Sequence, residues 1–224
     1  YYSTALLARM ADAIGKKDAA ADLDQRAREI RARFNERYLD TAANAYPGGT
    51  QTANLLPLFF GLAPEDRAGA IAANVVGDIA ARDGHLSTGF LGTAYLMPVL
   101  SRTGHHDTAW RLATQTTYPS WGFTIENGAT TIWERWNSCN VAEVGPGMNS
   151  FNHFAFGSVG QWFYEDLAGI NAAAPGFKRI RIQPRPAAGL DWVKAAHRTP
   201  YGRVRSEWRR DGNALRMTVE VPAN

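Results

Sequence analysis

Among 224 residues there is a single cysteine, Cys139, so no internal disulfide can form and cysteine alone cannot build a thiolate zinc site. No run of about 18 apolar residues occurs, which excludes a membrane-spanning helix. Glycine-rich phosphate loops of the Walker or dinucleotide type are missing, and Thr88-Gly89 and Gly157-Ser158 read instead as close-packing positions. The chain also lacks an initiator methionine and a basic-then-apolar targeting segment. Tyr1-Tyr2-Ser3-Thr4 runs straight into an amphipathic pattern (Leu6, Leu7, Met10, Ala13, Ile14), as though a helix were already under way. That predicts more protein ahead of Tyr1.

What is present is the composition of a folded domain. Hydrophobic residues make up 45% and charged residues 20%, which sets aside disorder, collagen and coiled coil. The net charge of +3 averages two unlike pieces. Residues 1–177 carry 13 Lys/Arg against 17 Asp/Glu, and residues 178–224 carry 11 against 4. A basic tail invites a nucleic-acid or membrane reading. Here the charges alternate with apolar residues instead of forming a block, so they predict the solvated face of a small β unit, with no nucleic acid and no membrane as partner.

From residue 1 to about 168 the signals are helical and come in pairs. Residues 1–14 end at Gly15, a C-cap glycine by position. A second helix opens at Asp18 with Leu23, Ala27, Ile30, Phe34 and Tyr38 as its buried stripe. Thr50–Leu62 is more apolar and is interrupted by Pro57; Pro64, Glu65 and Asp66 begin the next helix, with Ile71, Val75 and Ile79 on one face. Further helices are expected over 89–100 and 107–116. Alternation of apolar and amphipathic helices predicts helical hairpins stacked around an axis. Residues 117–148, with Pro119, Gly122, Gly128, Gly145, Pro146 and Gly147, read as a long structured loop, a feature that is usually functional. A last helix is expected over 149–167. Beyond Pro175-Gly176 the period becomes two, with strands at 177–182, 202–209 and 214–221 and a hairpin turn at Asp211-Gly212.

Eleven of the 25 aromatic residues fall within 118–164, among them Trp121, Trp133, Trp136 and Trp162. Aromatic rings concentrated on a polar, glycine-containing loop suit a sugar site, because ring faces pack on pyranose rings while polar neighbours bind hydroxyls; core packing is the alternative, above all for Trp162. Within the cluster, Glu134 stands between Trp133 and Trp136. Apolar rings raise a carboxyl pKa and Arg135 would lower it, so Glu134 is either a general base or half of a structural Glu–Arg pair. His85, in a Gly-rich turn, either lines the site or caps the turn. His105-His106-Asp107 does not read as a metal site, since consecutive residues at a helix start point apart and further ligands are not near.

Four stretches then resemble the bacterial α-L-rhamnosidases of glycoside hydrolase family 78. They are Gly84-His85-Leu86-Ser87-Thr88-Gly89-Phe90-Leu91-Gly92-Thr93, Tyr118-Pro119-Ser120-Trp121-Gly122, Thr130-Thr131-Ile132-Trp133-Glu134-Arg135-Trp136 and Asn152-His153-Phe154-Ala155-Phe156-Gly157-Ser158-Val159-Gly160. The resemblance implies a mainly α fold: the C-terminal portion of an (α/α)6 toroid over 1–170, then the start of a C-terminal β-sandwich over 171–224. It implies inverting hydrolysis of terminal α-L-rhamnosyl groups from rhamnose-containing glycosides. Glu134 takes the general-base position and His153 the sugar-contacting position, with Trp136, Trp121, Trp133, His85 and Asn152 as further substrate-binding candidates. Gln161 departs from the family's usual Glu in Gly-Glu-Trp.

No metal and no cofactor are implied. The family's acid motif has no match in this chain, and neither Glu126 nor Glu143 carries its pattern. The general acid is therefore expected on an upstream segment of the same protein, and the chain alone is expected to be inactive. The compartment is unknown, bacterial cytoplasm being favoured slightly over periplasm or secretion. Two other classes stay open: another toroid glycosidase, of the unsaturated glucuronyl hydrolase or trehalase kind, and a non-catalytic carbohydrate-binding module.

Overall fold

The computed structural model describes residues 1–224 except Pro146, Asn213, Asn224 and the side chains of Val141 and Val144. The part of the expected 117–148 loop that rests on Pro146 lies outside the described residues. Contacts divide the chain into two compact units, Tyr1–Arg82 and Asp83–Asn224.

The first unit holds two helical hairpins. Helix α1 (Tyr2–Ala13) packs on α2 (Lys17–Tyr38), and α3 (Gln51–Phe60) packs on α4 (Glu65–Ala81). Thr50 caps α3, its hydroxyl oxygen accepting the Ala53 amide at 3.2 Å, and Gly61 ends it at φ 72, where a side chain would be strained. Ile71, Val75 and Ile79 of α4 are buried as their spacing requires. Two expectations need correction. Pro57 does not interrupt α3 but lies buried within it; the proline costs one amide, not the helix. The stripe of α2 is only partly covered: Ala27 is buried and Tyr38, at the end of a helix much longer than α1, is exposed.

In the second unit α5 (Phe90–Arg102) pairs with α6 (His106–Thr114), burying Leu96, Val99 and Leu100. The stretch that follows is mostly irregular, with short helices α7 (Trp121–Glu126) and α8 (Val141–Val144). The last helical segment begins later than expected. It is a 3-10 turn at Ala155–Ser158, then α9 (Val159–Trp162), then a π turn at Phe163–Leu167. Residues 149–153 cannot join it because their backbone is used elsewhere: Ser150 O accepts the Glu134 amide at 2.9 Å, and the His153 amide donates to Ile132 O at 2.8 Å.

Five antiparallel strands follow. Strands β1 (Ile170–Ala172) and β2 (Ile180–Ile182) form a ribbon, and β3 (Trp192–Thr199), β4 (Gly202–Asp211) and β5 (Ala214–Glu220) form a sheet in that order. Asp211 and Ala214 are register partners at the expected hairpin. β1 and β3 are not anticipated by the period-two signal, since β1 is three residues long and Ala195-Ala196 blurs the alternation in β3. The sheet is tied to the end of the helical segment: Trp208 Nε1 donates to Leu167 O at 2.8 Å and Ser206 Oγ to Ala168 O at 2.7 Å. The register sets Lys194 opposite Glu207 and Arg205 opposite Glu220, on the side of β4 away from buried Val204, Ser206 and Trp208. Two basic residues of the tail are thus matched with acids across strands, while Arg198 faces Arg203 and Arg209 faces Arg216.

Candidate active site

Two irregular segments, 131–138 and 149–153, lie alongside each other. Besides the two backbone bonds above, Thr131 Oγ1 donates to Phe151 O, and Asn149 Nδ2 donates to Ser138 O at 3.1 Å. This pairing brings Glu134 and His153, 19 positions apart in sequence, onto neighbouring backbone.

Glu134 is buried, 6% exposed. Its Oε2 accepts the Ser150 amide at 2.6 Å, so the carboxylate is held by backbone instead of by a mobile side chain. Among the described residues Oε1 takes no hydrogen bond. The alternative of a Glu134–Arg135 pair is corrected by the structure: Arg135 is exposed and forms no ion pair among the described residues.

His153 is partly buried, and its Nδ1 accepts the Ala155 amide at 3.2 Å. An acceptor nitrogen carries no proton, so in the neutral ring the proton sits on Nε2, which has no partner among the described residues. The side-chain amide of exposed Asn152 and the indole N–H of Trp133 are likewise unused there. Trp133 meets Phe151 edge to face at 5.4 Å. Four of the residues expected at the site therefore keep a polar group available.

The other three are committed to the protein itself. Trp121 Nε1 donates to Phe156 O at 2.9 Å, and Trp136 Nε1 to Thr88 O at 3.1 Å. Both rings are more than nine-tenths buried or nearly so, at 8% and 9% exposure. They pack edge to face at 5.1 Å, a core role alongside any contact with ligand. His85 Nε2 hydrogen-bonds Thr117 Oγ1 at 2.8 Å, which ties its turn to the start of the long loop. Glu126 and Glu143 are both exposed on short helices.

His106 uses both ring nitrogens within the fold, Nδ1 with Ser101 Oγ and Nε2 with Arg185 O, each at 2.9 Å. Sequence reasoning missed Phe90 and Phe154, whose rings flank His153, and Ser150, whose amide holds Glu134. Phe154 was findable by its place next to His153. Ser150 acts through its backbone and leaves no mark in side-chain chemistry.

Comparison with known proteins agrees with the expected fold class. Residues 1–167 match the bacterial alpha-L-rhamnosidase 6 hairpin glycosidase domain, and residues 169–224 match the bacterial alpha-L-rhamnosidase C-terminal domain. An alpha-L-rhamnosidase of Streptomyces avermitilis is 43% identical over 100% of this chain, and one of Formosa agariphila is 40% identical over 100%. The chain spans 22% and 24% of the length of those two relatives. The crystal structure of the Streptomyces avermitilis enzyme complexed with L-rhamnose superposes with a TM-score of 0.93 at 41% identity, covering 99% of this chain and 21% of that one. With a helical-hairpin region and a strand region each matched in order along its whole length, this chain belongs to the bacterial α-L-rhamnosidase family.

Proposed function

We propose that this chain supplies the water-activating side of a site that removes terminal α-L-rhamnosyl groups from glycosides with inversion at the anomeric carbon. The observation that carries it is the Glu134 carboxylate: buried, held at Oε2 by the Ser150 amide, and with Oε1 left to accept a proton. In an inverting reaction a carboxylate takes a proton from water as its oxygen bonds to the anomeric carbon. A carboxylic acid on the other side of the ring gives its proton to the departing glycosidic oxygen. The two groups stand roughly 6.5–9.5 Å apart so that water fits. Glu134 is the base in this scheme. The acid is assigned to the remainder of the same protein, which is then this chain's partner. His153 Nε2–H, the Asn152 amide and the Trp133 indole N–H are donors suited to sugar hydroxyls. Residues 1–170 are proposed as the toroid part and 171–224 as the β part.

Glu134→Gln in the full-length protein tests this. Turnover of p-nitrophenyl α-L-rhamnoside should fall by roughly 10²–10⁴-fold or more. Rhamnose binding by calorimetry should persist, since the amide keeps the acceptor oxygen that Ser150 needs. Turnover like that of the wild type would sink the assignment.

A further inference from the structure

Two phenyl rings stack on His153. The Phe90 ring lies 4.7 Å from it at 16°, and the Phe154 ring 5.1 Å from it at 14°. Both phenyl rings lie close to parallel with the imidazole plane. The Ala155 amide bonds Nδ1. A ring stacked against two phenyl groups and bonded at one nitrogen is restrained from flipping and swinging, and its outward donor is Nε2–H.

Phe154 is 86% exposed, and His153 is the only ring it meets among the described residues. A phenyl group so exposed adds almost nothing to a core. Phe90 is 41% exposed and is braced in turn against Phe156 at 5.7 Å. Its backbone opens α5, so the inner jaw is carried by a helix and the outer jaw by the residue after the histidine.

We infer that Phe90 and Phe154 are positioning residues that hold His153 with Nε2–H aimed at a hydroxyl of the bound sugar. This rests on the proposed rhamnoside-hydrolysing function. Fixing the donor before binding avoids ordering it afterwards, so loss of the clamp should weaken substrate capture more than the chemical step.

The test is a double-mutant cycle in the full-length protein with p-nitrophenyl α-L-rhamnoside, reading KM and kcat separately. Phe154→Ala should raise KM roughly 10-fold with kcat within about 3-fold, and leave the unfolding temperature unchanged. In a His153→Ala background Phe154→Ala should add nothing, and Phe154→Trp should restore KM because a flat ring is kept. Phe90→Ala should behave in the same way. If Phe154→Ala is inert while His153→Ala raises KM, the clamp is refuted and the functional reading survives. If the two substitutions are additive, Phe154 touches the ligand directly and the clamp is refuted. If His153→Ala itself changes nothing, His153 has no place in substrate capture and the clamp is refuted, while the functional reading stands or falls with Glu134→Gln.

Discussion

The indole of Trp136 lies flat on the ring of Phe156, with centroids 3.8 Å apart and planes 8° from parallel. This contact is the middle of a continuous column. Trp121 meets Trp136 edge to face, Phe156 meets Phe90, Phe90 stacks on His153, and His153 stacks on Phe154. Exposure rises from 3% at Phe156 to 41% at Phe90 and 86% at Phe154. The column therefore carries packing forces from the core to the one ring with a free hydrogen-bond donor.

Trp136 is expected to be its keystone. Trp136→Ala should cost about 3–5 kcal/mol in urea unfolding, since it deletes a buried indole and leaves Thr88 O with only the long Thr93 Oγ1 bond at 3.4 Å. Trp136→Phe keeps the stack and loses only the hydrogen bond, so about 1–3 kcal/mol is expected. Equal losses for the two variants would show that stacking contributes little.

Gly169 joins the last helical turn to β1 at φ 77, and its carbonyl accepts the Gln183 amide at 2.9 Å. A Cβ there would meet Pro184 N at 2.2 Å and Gln183 C at 2.3 Å, both backbone atoms that cannot swing aside. Gly169→Ala is expected to destabilise by more than about 3 kcal/mol. Gly147→Ala, where a Cβ meets nothing within 4 Å, is the matched control. Similar unfolding midpoints for the two would contradict the close approach.

Asp166 and His106 set opposing pH dependences. Burial pushes the Asp166 carboxyl up to about 6, against the pull of Arg185, whose Nε lies 3.1 Å away, and of Arg102. Between its ordinary 3.8 and about 6 the folded chain holds a proton that the unfolded chain has released. Its contribution to stability is thus full below about pH 4 and lost as pH rises through about 6. His106 is pushed down, chiefly by burial, so its contribution is lost as pH falls through and below 6.5. Asp166→Asn should remove an acid-side gain on the order of 1–2 kcal/mol, allowing for solvent screening in a recess that several charges share. Unfolding temperatures at pH 4.5 and 7.5 measure it, and an unchanged difference in the variant would contradict it.

Helix α1 exposes Leu7, Met10 and Ile14, spaced three and four apart, at 51%, 63% and 70%. A stripe of that kind favours association. The chain on its own should therefore sediment as a concentration-dependent oligomer. Replacing all three by Gln should shift it toward monomer, with each change altering stability by less than about 0.5 kcal/mol. A monomer at every concentration would rule this out.

Helix pairing, the apolar face of α4 and the Asp211 hairpin were legible in the residues, because periods of 3.6 and 2 are set by which side of each element meets the core. Family membership was legible for a similar reason: short runs such as Trp133-Glu134-Arg135-Trp136 keep their chemistry in one stretch. Composition also disposed of internal disulfides; the residues alone marked Glu134 as a candidate, and the family resemblance singled out His153. Tertiary structure alone decided which of the expected site residues keep a polar group to offer. Trp121, Trp136 and His85 spend theirs on Phe156, Thr88 and Thr117, contacts 32 to 48 positions apart. It alone decided that residues 149–153 stay out of the helix, since a helix there would have to give up the bonds to Ile132 and Glu134. Local pattern reports what a residue prefers; how its hydrogen bonds are spent depends on distant partners, and these are chosen only when the chain packs.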